Sequence, residues 1–317
     1  MRALHIAAAG HAPTMTELPR PEIVPDYVLI KVRAASFNGV DRAIASGFMA
    51  QFMPHAYPLV LGQDAAGVVE AVGENVSGIS VGDEVLGNML ISPPLQRGTI
   101  AEYAVLPAAA LVHKPAELDF DEAAALPLAG ATAVAVLDAI DLQPGQTVLI
   151  IGATGGVGSF AIQLAVARGA TVIATGTAAD AETLIELGAS EVVDYTSGSV
   201  ATKVRAAHPE GVDALIDLAN FSPDGLVEAA TAVRDGGRVA SPLNAIDAGA
   251  LATRQIIGQN VTANPHREVV APLVAAAAAG RLTVPVTTTV TLDEASVGLT
   301  GFSSRGVRGK NVVVMET

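Results

Sequence analysis

The chain has 317 residues, enough for two domains of ordinary size. Half of the residues are apolar, which excludes wholesale disorder. The 18 Lys and Arg residues against 32 Asp and Glu residues give a net charge of −14, so nucleic acid and anionic membranes are poor partners. The absence of cysteine excludes disulfides, thiolate catalysis and cysteine-ligated zinc.

The first third of the chain has the pattern of a β-rich region. Residues 28–34 partly alternate between apolar and polar, as a half-buried strand does, and residues 68–72 and 84–86 are short apolar segments. Dense glycine and proline between residues 54 and 98 predict loops around short strands. The apolar stretch at the N-terminus is short and is broken by His5, so we expect no signal peptide and a cytoplasmic location.

Helical patterns begin near Asp121, and from about residue 145 apolar strands alternate with helices. Continuous apolar strands in such an alternation predict a parallel, doubly wound sheet of the α/β class. The predicted strands cover residues 146–151, 171–175, 191–194, 212–218 and 237–240, and the predicted helices cover residues 158–168, 178–187 and 269–279, with a further helix after Pro223.

Residues 142–167 carry no charge and are long enough to cross a membrane. Pro144 and five glycines in this stretch favour a strand, a turn and a helix instead. Residues 283–292 and 310–315 return to a β pattern. We therefore predict a β-rich domain of residues 1–120, completed by residues 260–317, and a cofactor-binding domain of residues 121–259.

A glycine-rich turn joins the first strand of the second region to its helix, in the order Gly152-Ala153-Thr154-Gly155-Gly156-Val157-Gly158. A dinucleotide pyrophosphate requires a tight turn, a close backbone approach and the free N–H groups of a helix N-terminus. Gly155 would permit the approach and Gly158 the packing of helix on strand, although Ala153 stands where the first glycine of the fingerprint is usual. The alternative is a glycine-rich turn in an ordinary α/β sheet.

The end of the second strand of this region is where a dinucleotide's ribose is recognised. An acid there favours NAD, and a nearby cation accommodates the 2′-phosphate of NADP. The strand ends at Thr175-Gly176-Thr177 and is followed by Asp180, with no cation close by. Small hydroxyl side chains leave room for a phosphate and Asp180 would repel one, so the choice of cofactor stays open.

The chain resembles the medium-chain dehydrogenase/reductase superfamily, in its zinc-independent quinone oxidoreductase or zeta-crystallin-like branch. The resemblance covers essentially the whole chain and implies a GroES-like β-rich catalytic domain beside a Rossmann cofactor domain. Its markers, in chain order, are Ala34-Ala35-Ser36-Phe37-Asn38-Gly39-Val40-Asp41, Leu61-Gly62-Gln63-Asp64-Ala65-Ala66-Gly67, Val81-Gly82-Asp83-Glu84-Val85, Gly98-Thr99-Ile100-Ala101-Glu102-Tyr103, Leu126-Pro127-Leu128-Ala129-Gly130, the glycine-rich turn and Arg308-Gly309-Lys310.

The resemblance implies that no catalytic zinc is bound. Zinc enzymes of the superfamily have Cys, His and Cys where this chain has Asn38, Gln63 and Leu128, and none of these three is a normal zinc ligand. Zinc-free relatives reduce quinones or activated C=C bonds with NADPH. We therefore expect an NAD(P)H-dependent reductase of this kind, acting on a small molecule, with no membrane or nucleic-acid partner. A homodimer is common among relatives.

The resemblance also implies a set of cofactor contacts. In relatives a Lys near the position of Asp180 helps bind the 2′-phosphate of NADPH, and its replacement here makes NADH a possible cofactor. The expected cofactor-binding residues are Thr132, Gly155, Gly156, Val157, Gly158, Thr175, Gly176, Thr177, Tyr195, Ser241, Leu243 and Lys310.

Two polar residues are candidates for catalysis. Asn38 would hydrogen-bond the substrate oxygen and Tyr57 would donate a proton to an enolate, against the alternatives of a loop-capping Asn and a packed Tyr. Phe48, Phe52 and Met89, with Asn38 and Tyr57, would line an apolar substrate pocket, against the alternative of ordinary core. Two rival functions remain: an enoyl reductase of a biosynthetic pathway, and a cofactor-binding protein with little catalysis.

Overall fold

A computed structural model of the protein describes residues 1–302 and 307–315. Parts of the predicted C-terminal return, residues 303–306 and 316–317, lie outside the described residues. The strands are β1 (Arg2–Ile6), β2 (Thr14–Glu17), β3 (Tyr27–Ser36), β4 (Leu59–Val60), β5 (Asp64–Val72), β6 (Glu84–Asn88), β7 (Tyr103–Pro107), β8 (Leu111–His113), β9 (Thr147–Ile151), β10 (Thr171–Gly176), β11 (Glu191–Asp194), β12 (Val212–Asp217), β13 (Val233–Ser241), β14 (Ile257–Asn260), β15 (Val286–Thr291) and β16 (Lys310–Val314). The helices are α1 (Gly39–Ala45), α2 (Phe120–Ala125), α3 (Pro127–Ala139), α4 (Gly156–Ala167), α5 (Ala181–Glu186), α6 (Val200–Ala207), α7 (Pro223–Ala230), α8 (Ala248–Ala252), α9 (Arg267–Ala278) and α10 (Ala295–Phe302).

The chain divides into two compact units. Unit 1 consists of Met1–Ala129 and Asn264–Thr317, and unit 2 consists of Gly130–Ala263. The α/β class predicted from the alternating pattern is confirmed, with a β-rich unit and a unit built on a parallel sheet.

Unit 1 is built on two sheets. The smaller has the strand order β2-β1-β4, and the larger has the order β15-β16-β3-β5-β6-β8, with β7 also paired to β3. Among the described strands of the two sheets, every pairing is antiparallel except that of β15 with β16. Strand β3 alternates buried and less buried residues over its first half, as its partial apolar alternation predicts. Its inward side chains, among them Val28, Ile30 and Val32, belong to one apolar core with residues of β5 and β16.

Unit 2 has a six-stranded parallel sheet in the order β11-β10-β9-β12-β13-β14. Within this unit the order is 3-2-1-4-5-6, which is the order of a dinucleotide-binding doubly wound sheet. The middle strand β9 is a run of Val, Leu and Ile buried on both faces, which explains why it lies at the centre. Helices α6 and α7 begin at serine caps, where Ser199 accepts from the Thr202 N–H and Ser222 from the Gly225 N–H.

The uncharged stretch 142–167 forms β9, a turn and α4. Helix α4 begins two residues earlier than its pattern predicts, at Gly156, because Gly156 and Gly158 both adopt helical backbone. Within residues 1–302 and 307–315, no helix has the length and the apolar character that crossing a membrane requires.

Candidate active site

Unit 1 contains a buried polar cluster that its strand register assembles. Ser36, at the end of β3, pairs with Val312 of β16 on one side and with Asp64 of β5 on the other. Asp64 in turn pairs with Asn88 of β6. Side chains from four segments that are distant in the sequence therefore converge at one end of the sheet.

The Asp64 carboxylate is the acceptor at the centre of this cluster. It accepts hydrogen bonds from Asn88 Nδ2 at 2.6 Å, Asn38 Nδ2 at 3.0 Å and Ser36 Oγ at 3.3 Å. The backbone N–H of Leu128 donates to both of its oxygens, at 3.2 and 3.3 Å. Four donors on one fully buried carboxylate hold it in a single orientation.

Lys310 brings a positive charge into the same cluster. Its ammonium donates to Asn38 Oδ1 at 2.7 Å and to the Phe37 carbonyl oxygen at 3.0 Å, and the side chain is buried. Burial lowers the pKa of Lys310, while Asp64 and Asp41 oppose that shift. The ammonium thereby compensates two buried carboxylates without touching either.

Asp41 orders the loop around Asn38. Its carboxylate accepts the Asn38 N–H at 2.7 Å and the Gly62 N–H at 3.2 Å. Burial raises the pKa of Asp41 to about 7, and the nearby Asp64 charge adds to the shift. Burial also raises the pKa of Asp64, against the opposing influence of Lys310.

The Asn38 side chain is engaged at both ends of its amide. Oδ1 accepts from Lys310, and Nδ2 donates to Asp64 and to the Ser36 carbonyl oxygen, the latter at 3.4 Å. The contact with Ser36 is long, so one amide hydrogen is held only weakly. The neighbouring Gln63 is also buried, and its Oε1 has no hydrogen-bond partner among the described residues.

The other unit 1 candidates lie in different surroundings. The Tyr57 hydroxyl lies 3.2 Å from His55 Nδ1, and the two rings meet edge to face. Phe48 and Phe52 form an edge-to-face pair with ring centroids 5.1 Å apart, and both are exposed, at 53% and 67%. Met89 is buried in the apolar core of the unit. Among the hydrogen bonds and ring contacts of the described residues, none joins these four residues to Asn38.

In unit 2 the glycine-rich turn leads into the N-terminus of α4. Gly152 has φ of +79°, a conformation that favours glycine, and Gly155 precedes the helix without a capping side chain. A Cβ on Gly158 would lie 2.4 Å from the Gly152 carbonyl oxygen, so this position requires glycine for packing. A Cβ on Gly155 would meet only that oxygen, at 3.5 Å. The space beside Gly155 and the first N–H groups of α4, which include those of Gly156 and Val157, fit a pyrophosphate.

Most of the remaining unit 2 candidates lie at or just after the carboxyl ends of strands. Thr175 Oγ1 accepts the Gly152 N–H at 3.1 Å and so ties the end of β10 to the turn. Ser241 ends β13, and its hydroxyl accepts the Leu243 N–H. Thr132 is buried in α3, and Tyr195 is 47% exposed directly after β11.

Two residues at or just after the end of β10 are closely packed. Asp180 is buried, and its carboxylate accepts hydrogen bonds from the Thr177 N–H at 2.8 Å and from the Thr177 hydroxyl at 2.7 Å. Gly176 ends β10, where a Cβ would lie 2.5 Å from Leu184.

Comparisons with known proteins agree with this architecture. Residues 24–116 match the alcohol dehydrogenase GroES-like domain, and residues 156–262 match the zinc-binding dehydrogenase family. An NADPH-dependent alkenal/one oxidoreductase of Arabidopsis thaliana, named as chloroplastic, is 36% identical over 232 residues, which are 71% of this chain and 57% of the relative. The chain spans about half the length of the curated relatives it matches.

Two solved structures are similar over their full length. An NAD-dependent alcohol dehydrogenase is 32% identical with a TM-score of 0.89, covering all of both chains. The quinone oxidoreductase of Coxiella burnetii is 28% identical with a TM-score of 0.87, covering 99% of this chain and 98% of that one.

The residues at the former metal positions do not fit zinc. Leu128 has no donor atom in its side chain, and Asn38 Oδ1 faces the Lys310 ammonium, which would repel a second cation. Among the described residues, no group of three or more His, Cys, Asp or Glu side chains is placed to hold a metal ion.

The sequence pattern missed Asp64 and Asn88 as members of this cluster. The sequence does contain one indication. Asp64 stands at the start of the apolar run Ala65-Ala66-Gly67-Val68-Val69, and a carboxylate buried there without a hydrogen-bonding partner would be unfavourable, so partners are to be expected. Its partners lie 26 and 24 residues away for Asn38 and Asn88, and no local pattern connects them.

Proposed function

Because the chain belongs to the medium-chain dehydrogenase/reductase superfamily, among its quinone oxidoreductase-like members, we propose that it is a zinc-independent NAD(P)H-dependent reductase. It transfers hydride to a quinone or to the activated C=C bond of an α,β-unsaturated carbonyl. The observation that carries this proposal is the replacement of a metal-ligand set by the amide of Asn38, bonded to Lys310 and Asp64. The names of the Arabidopsis and Coxiella relatives support the two acceptor classes.

Each unit has a proposed task. Residues 1–120 with 260–317 form the catalytic domain, and residues 121–259 form the cofactor domain. The division of the chain after Ala129 and again after Ala263 supports this assignment. In unit 2 the pyrophosphate would bind at Gly155, Gly156, Val157 and Gly158. Further contacts would come from residues at or just after strand ends, namely Thr175, Gly176, Thr177, Tyr195, Ser241 and Leu243, from Thr132 in α3, and from Lys310 of unit 1. When bound, a reduced nicotinamide supplies the hydride.

The side chains of unit 1 have two proposed roles. The weakly held Nδ2 hydrogen of Asn38 turns from Ser36 to the substrate oxygen, where negative charge develops. The Tyr57 hydroxyl, supported by His55, delivers a proton to the enolate carbon. The exposed Phe48 and Phe52 would contribute apolar surface for the acceptor, and the buried Met89 would pack behind that surface. A conjugated acceptor spreads the developing charge, which is why no metal is required.

The test is oxidation of NADPH or NADH by the purified protein, followed by absorbance, with three acceptors. We expect acceptor-dependent oxidation with 1,4-benzoquinone or with 3-buten-2-one, and none with 2-butanone, because the saturated ketone needs a Lewis acid that Asn38 and Gln63 do not hold. Dialysis against a chelator should leave the rate unchanged. Cofactor binding without oxidation by any acceptor would favour the rival, a binding protein with little catalysis.

The relative turnover with the two acceptor types separates the quinone reductase from an enoyl reductase of a biosynthetic pathway. We further propose a homodimer, which sedimentation measures directly. A cytoplasmic location stays a prediction from the sequence, since the Arabidopsis relative is named as chloroplastic.

A further inference from the structure

The side-chain amide of Asn38 is fixed at two points. Lys310 Nζ donates to its Oδ1 at 2.7 Å, and its Nδ2 donates to Asp64 at 3.0 Å. Because an amide group is planar, bonds to the oxygen and to one N–H also fix the direction of the second N–H. Among the described residues the partner of that second N–H is the Ser36 carbonyl oxygen, at 3.4 Å, which is long for a hydrogen bond. The second N–H is therefore aimed but only weakly held.

The two partners allow one orientation of this amide. An ammonium has donors and no acceptor, and an ionised carboxylate has acceptors and no donor. The Asp64 carboxylate accepts from four groups, as an ionised carboxylate does. If the amide turned over, a donor would face Lys310 and an acceptor would face Asp64, and both bonds would be lost. Lys310 and Asp64 together therefore keep the Asn38 nitrogen available as a donor.

Lys310 directs its hydrogen bonds to neutral oxygens rather than to carboxylates. Its ammonium donates to Asn38 Oδ1 and to the Phe37 carbonyl oxygen, and among the described residues no carboxylate oxygen lies within salt-bridge distance of it. At 2% exposure it is the only lysine or arginine of the described part of the chain that is buried as a whole residue. Such burial is unfavourable for an ammonium, and an ion pair would compensate it more directly. A buried cation placed on the Asn38 amide points to a role that acts through this amide.

A cation on the oxygen of an amide strengthens the donors on its nitrogen. The amide bond is a resonance system, so a charge-assisted hydrogen bond at Oδ1 draws electron density away from Nδ2. The Asp64 carboxylate has the opposite influence on Nδ2, and Lys310 offsets it. Where negative charge develops on the oxygen of an acceptor, a donor that is already oriented stabilises that charge without reorganisation.

We propose that Lys310 is a positioning residue for the reduction: its ammonium holds and polarises the Asn38 amide so that the weakly held Nδ2 hydrogen is aimed at the oxygen of the acceptor. The inference rests on the proposed function, because Asn38 has to meet that oxygen. Lys310 then contributes to the rate through Asn38 and not independently of it. The alternative is that the ammonium only compensates the two buried carboxylates of the cluster.

The experiment is a double-mutant cycle on the full chain at about pH 6.5, where Asp41, with a pKa of about 7, is partly protonated and Lys310→Met leaves less charge uncompensated. It measures kcat/KM for whichever of 1,4-benzoquinone and 3-buten-2-one the protein reduces, at saturating reduced cofactor. We expect Asn38→Ala to lose about 100-fold and Lys310→Met about 10-fold. In the Asn38→Ala background, Lys310→Met should change kcat/KM by less than about twofold, because no amide remains to be positioned.

Lys114→Met is the matched control for the loss of a buried ammonium. Lys114 also belongs to unit 1, its side chain is only 6% exposed, and its ammonium pairs with Glu84 at 2.9 Å. The hydrogen bonds of that ammonium stay within residues 114–118 and do not reach Asn38. We expect this substitution to lower Tm, as Lys310→Met does, and to leave kcat/KM within about twofold of the wild-type value.

The outcomes separate this inference from the proposed function. Additive losses in the double variant would show that Lys310 acts independently of Asn38 and would overturn the positioning role. An unchanged kcat/KM in Lys310→Met at saturating cofactor, with weaker cofactor binding alone, would assign Lys310 to the cofactor and overturn it as well. Both results leave the reductase intact, whereas a wild-type protein that reduces no acceptor overturns the reductase and this inference together.

Should Lys310→Met fold poorly, NMR relaxation of the wild-type Asn38 side-chain amide tests the same two-point fixation. We expect an order parameter above about 0.8 for its N–H bonds, as for rigid backbone. A value below about 0.6 would mean that the amide is mobile and would contradict the role of Lys310.

Discussion

The cluster around Asp64 places three charged side chains in the interior of unit 1, where burying a charge has an unfavourable free energy. Asp41, Asp64 and Lys310 are each nearly or fully buried, and the transfer of isolated ions into an apolar interior is strongly unfavourable. The cluster is stable because every charged atom has a hydrogen-bond partner and because one ammonium stands against two carboxylates. Asn38 connects them, since its amide accepts from Lys310 and donates to Asp64.

The Lys310→Met substitution tests this balance of charge. The ammonium is lost while the two carboxylates stay buried, so we expect a loss of about 3 kcal/mol in the free energy of unfolding at pH 8, as when one partner of a buried ion pair is removed. The loss should be smaller at pH 5, because Asp41, with a pKa of about 7, takes up a proton there. Urea unfolding at the two pH values measures both quantities.

Lys31→Met is the matched control for that experiment. Lys31 lies in β3 of the same unit, but its side chain is exposed and forms no salt bridge among the described residues. Its replacement should change the free energy of unfolding by less than about 0.5 kcal/mol at either pH. A loss in Lys310→Met that does not depend on pH would mean that packing of the long side chain, and not its charge, stabilises the cluster.

At the scale of elements, two glycines of the glycine-rich turn have different roles: Gly158 is needed for packing, and Gly155 leaves room for a bound pyrophosphate. Gly158 lies against the backbone of Gly152 and Ala153, at distances that leave no room for a Cβ. At Gly155, at the N-terminus of α4, a Cβ would make one ordinary contact, with the Gly152 carbonyl oxygen at 3.5 Å. Two glycines three residues apart therefore serve different purposes, and substitution can tell them apart.

Gly158→Ala should destabilise the fold by about 2 kcal/mol, since the new Cβ forces backbone apart. Gly155→Ser should leave stability unchanged or slightly higher, because serine is a favourable helix cap, yet weaken NADPH binding by about 10-fold, because its side chain occupies the phosphate's place on the free N–H groups. Thermal unfolding and calorimetric titration of both variants measure these effects. Full NADPH affinity in Gly155→Ser would contradict a pyrophosphate at this turn.

Local patterns predicted the elements of unit 2 well, since they are properties of consecutive residues. The run Val148-Leu149-Ile150 is apolar enough to identify a central strand, and the glycines after it identify the turn. The start of α4 was two residues off because glycine carries little helical signal of its own.

Long-range register decided what the sequence could not predict in unit 1. Lys310 and Asn38 are 272 residues apart, and they meet because β16 and β5 flank the end of β3. Both residues were predicted as site residues, Asn38 as a contact of the substrate oxygen and Lys310, from the family resemblance, as a cofactor contact. The structure gives the Lys310 ammonium protein partners inside unit 1, and its cofactor role stays a prediction.

At the scale of the whole molecule, the acidic side chains with shifted pKa values include two populations with opposite effects on pH dependence. Burial raises the pKa of Asp41 and Asp64, whereas hydrogen bonds from neighbouring groups lower the pKa of exposed acids such as Glu294, which accepts the Thr291 N–H and hydroxyl. The first population destabilises the fold when ionised. The second stabilises it when ionised, so the stability of the intact chain reflects their sum.

The buried population is isolated by comparing Asp41→Asn with the wild-type chain from pH 5 to pH 8. The folded pKa of Asp41 is about 7 and the unfolded value is ~3.9, so the folded state holds more protons between these limits and the ionisation cost grows as pH rises. The neutral amide of the variant would carry no such cost. The stability of the variant relative to wild type should therefore increase by about 2 to 3 kcal/mol over this range, as measured by urea unfolding.

Glu294→Gln is the comparison for an acid of the same unit whose pKa is lowered in the folded state, whereas that of Asp41 is raised. The pKa of Glu294 is lowered in the folded state, so its contribution is fully present above the unfolded value and is lost only as pH falls below it. Because Glu294 is ionised in both states from pH 5 to pH 8, the difference between this variant and wild type should stay flat across the range. A flat difference for Asp41→Asn as well would mean that Asp41 is already ionised at pH 5. The Lys310 ammonium would then be sufficient to keep both buried carboxylates charged, and the pH dependence predicted for Lys310→Met would have to shift to lower pH with it.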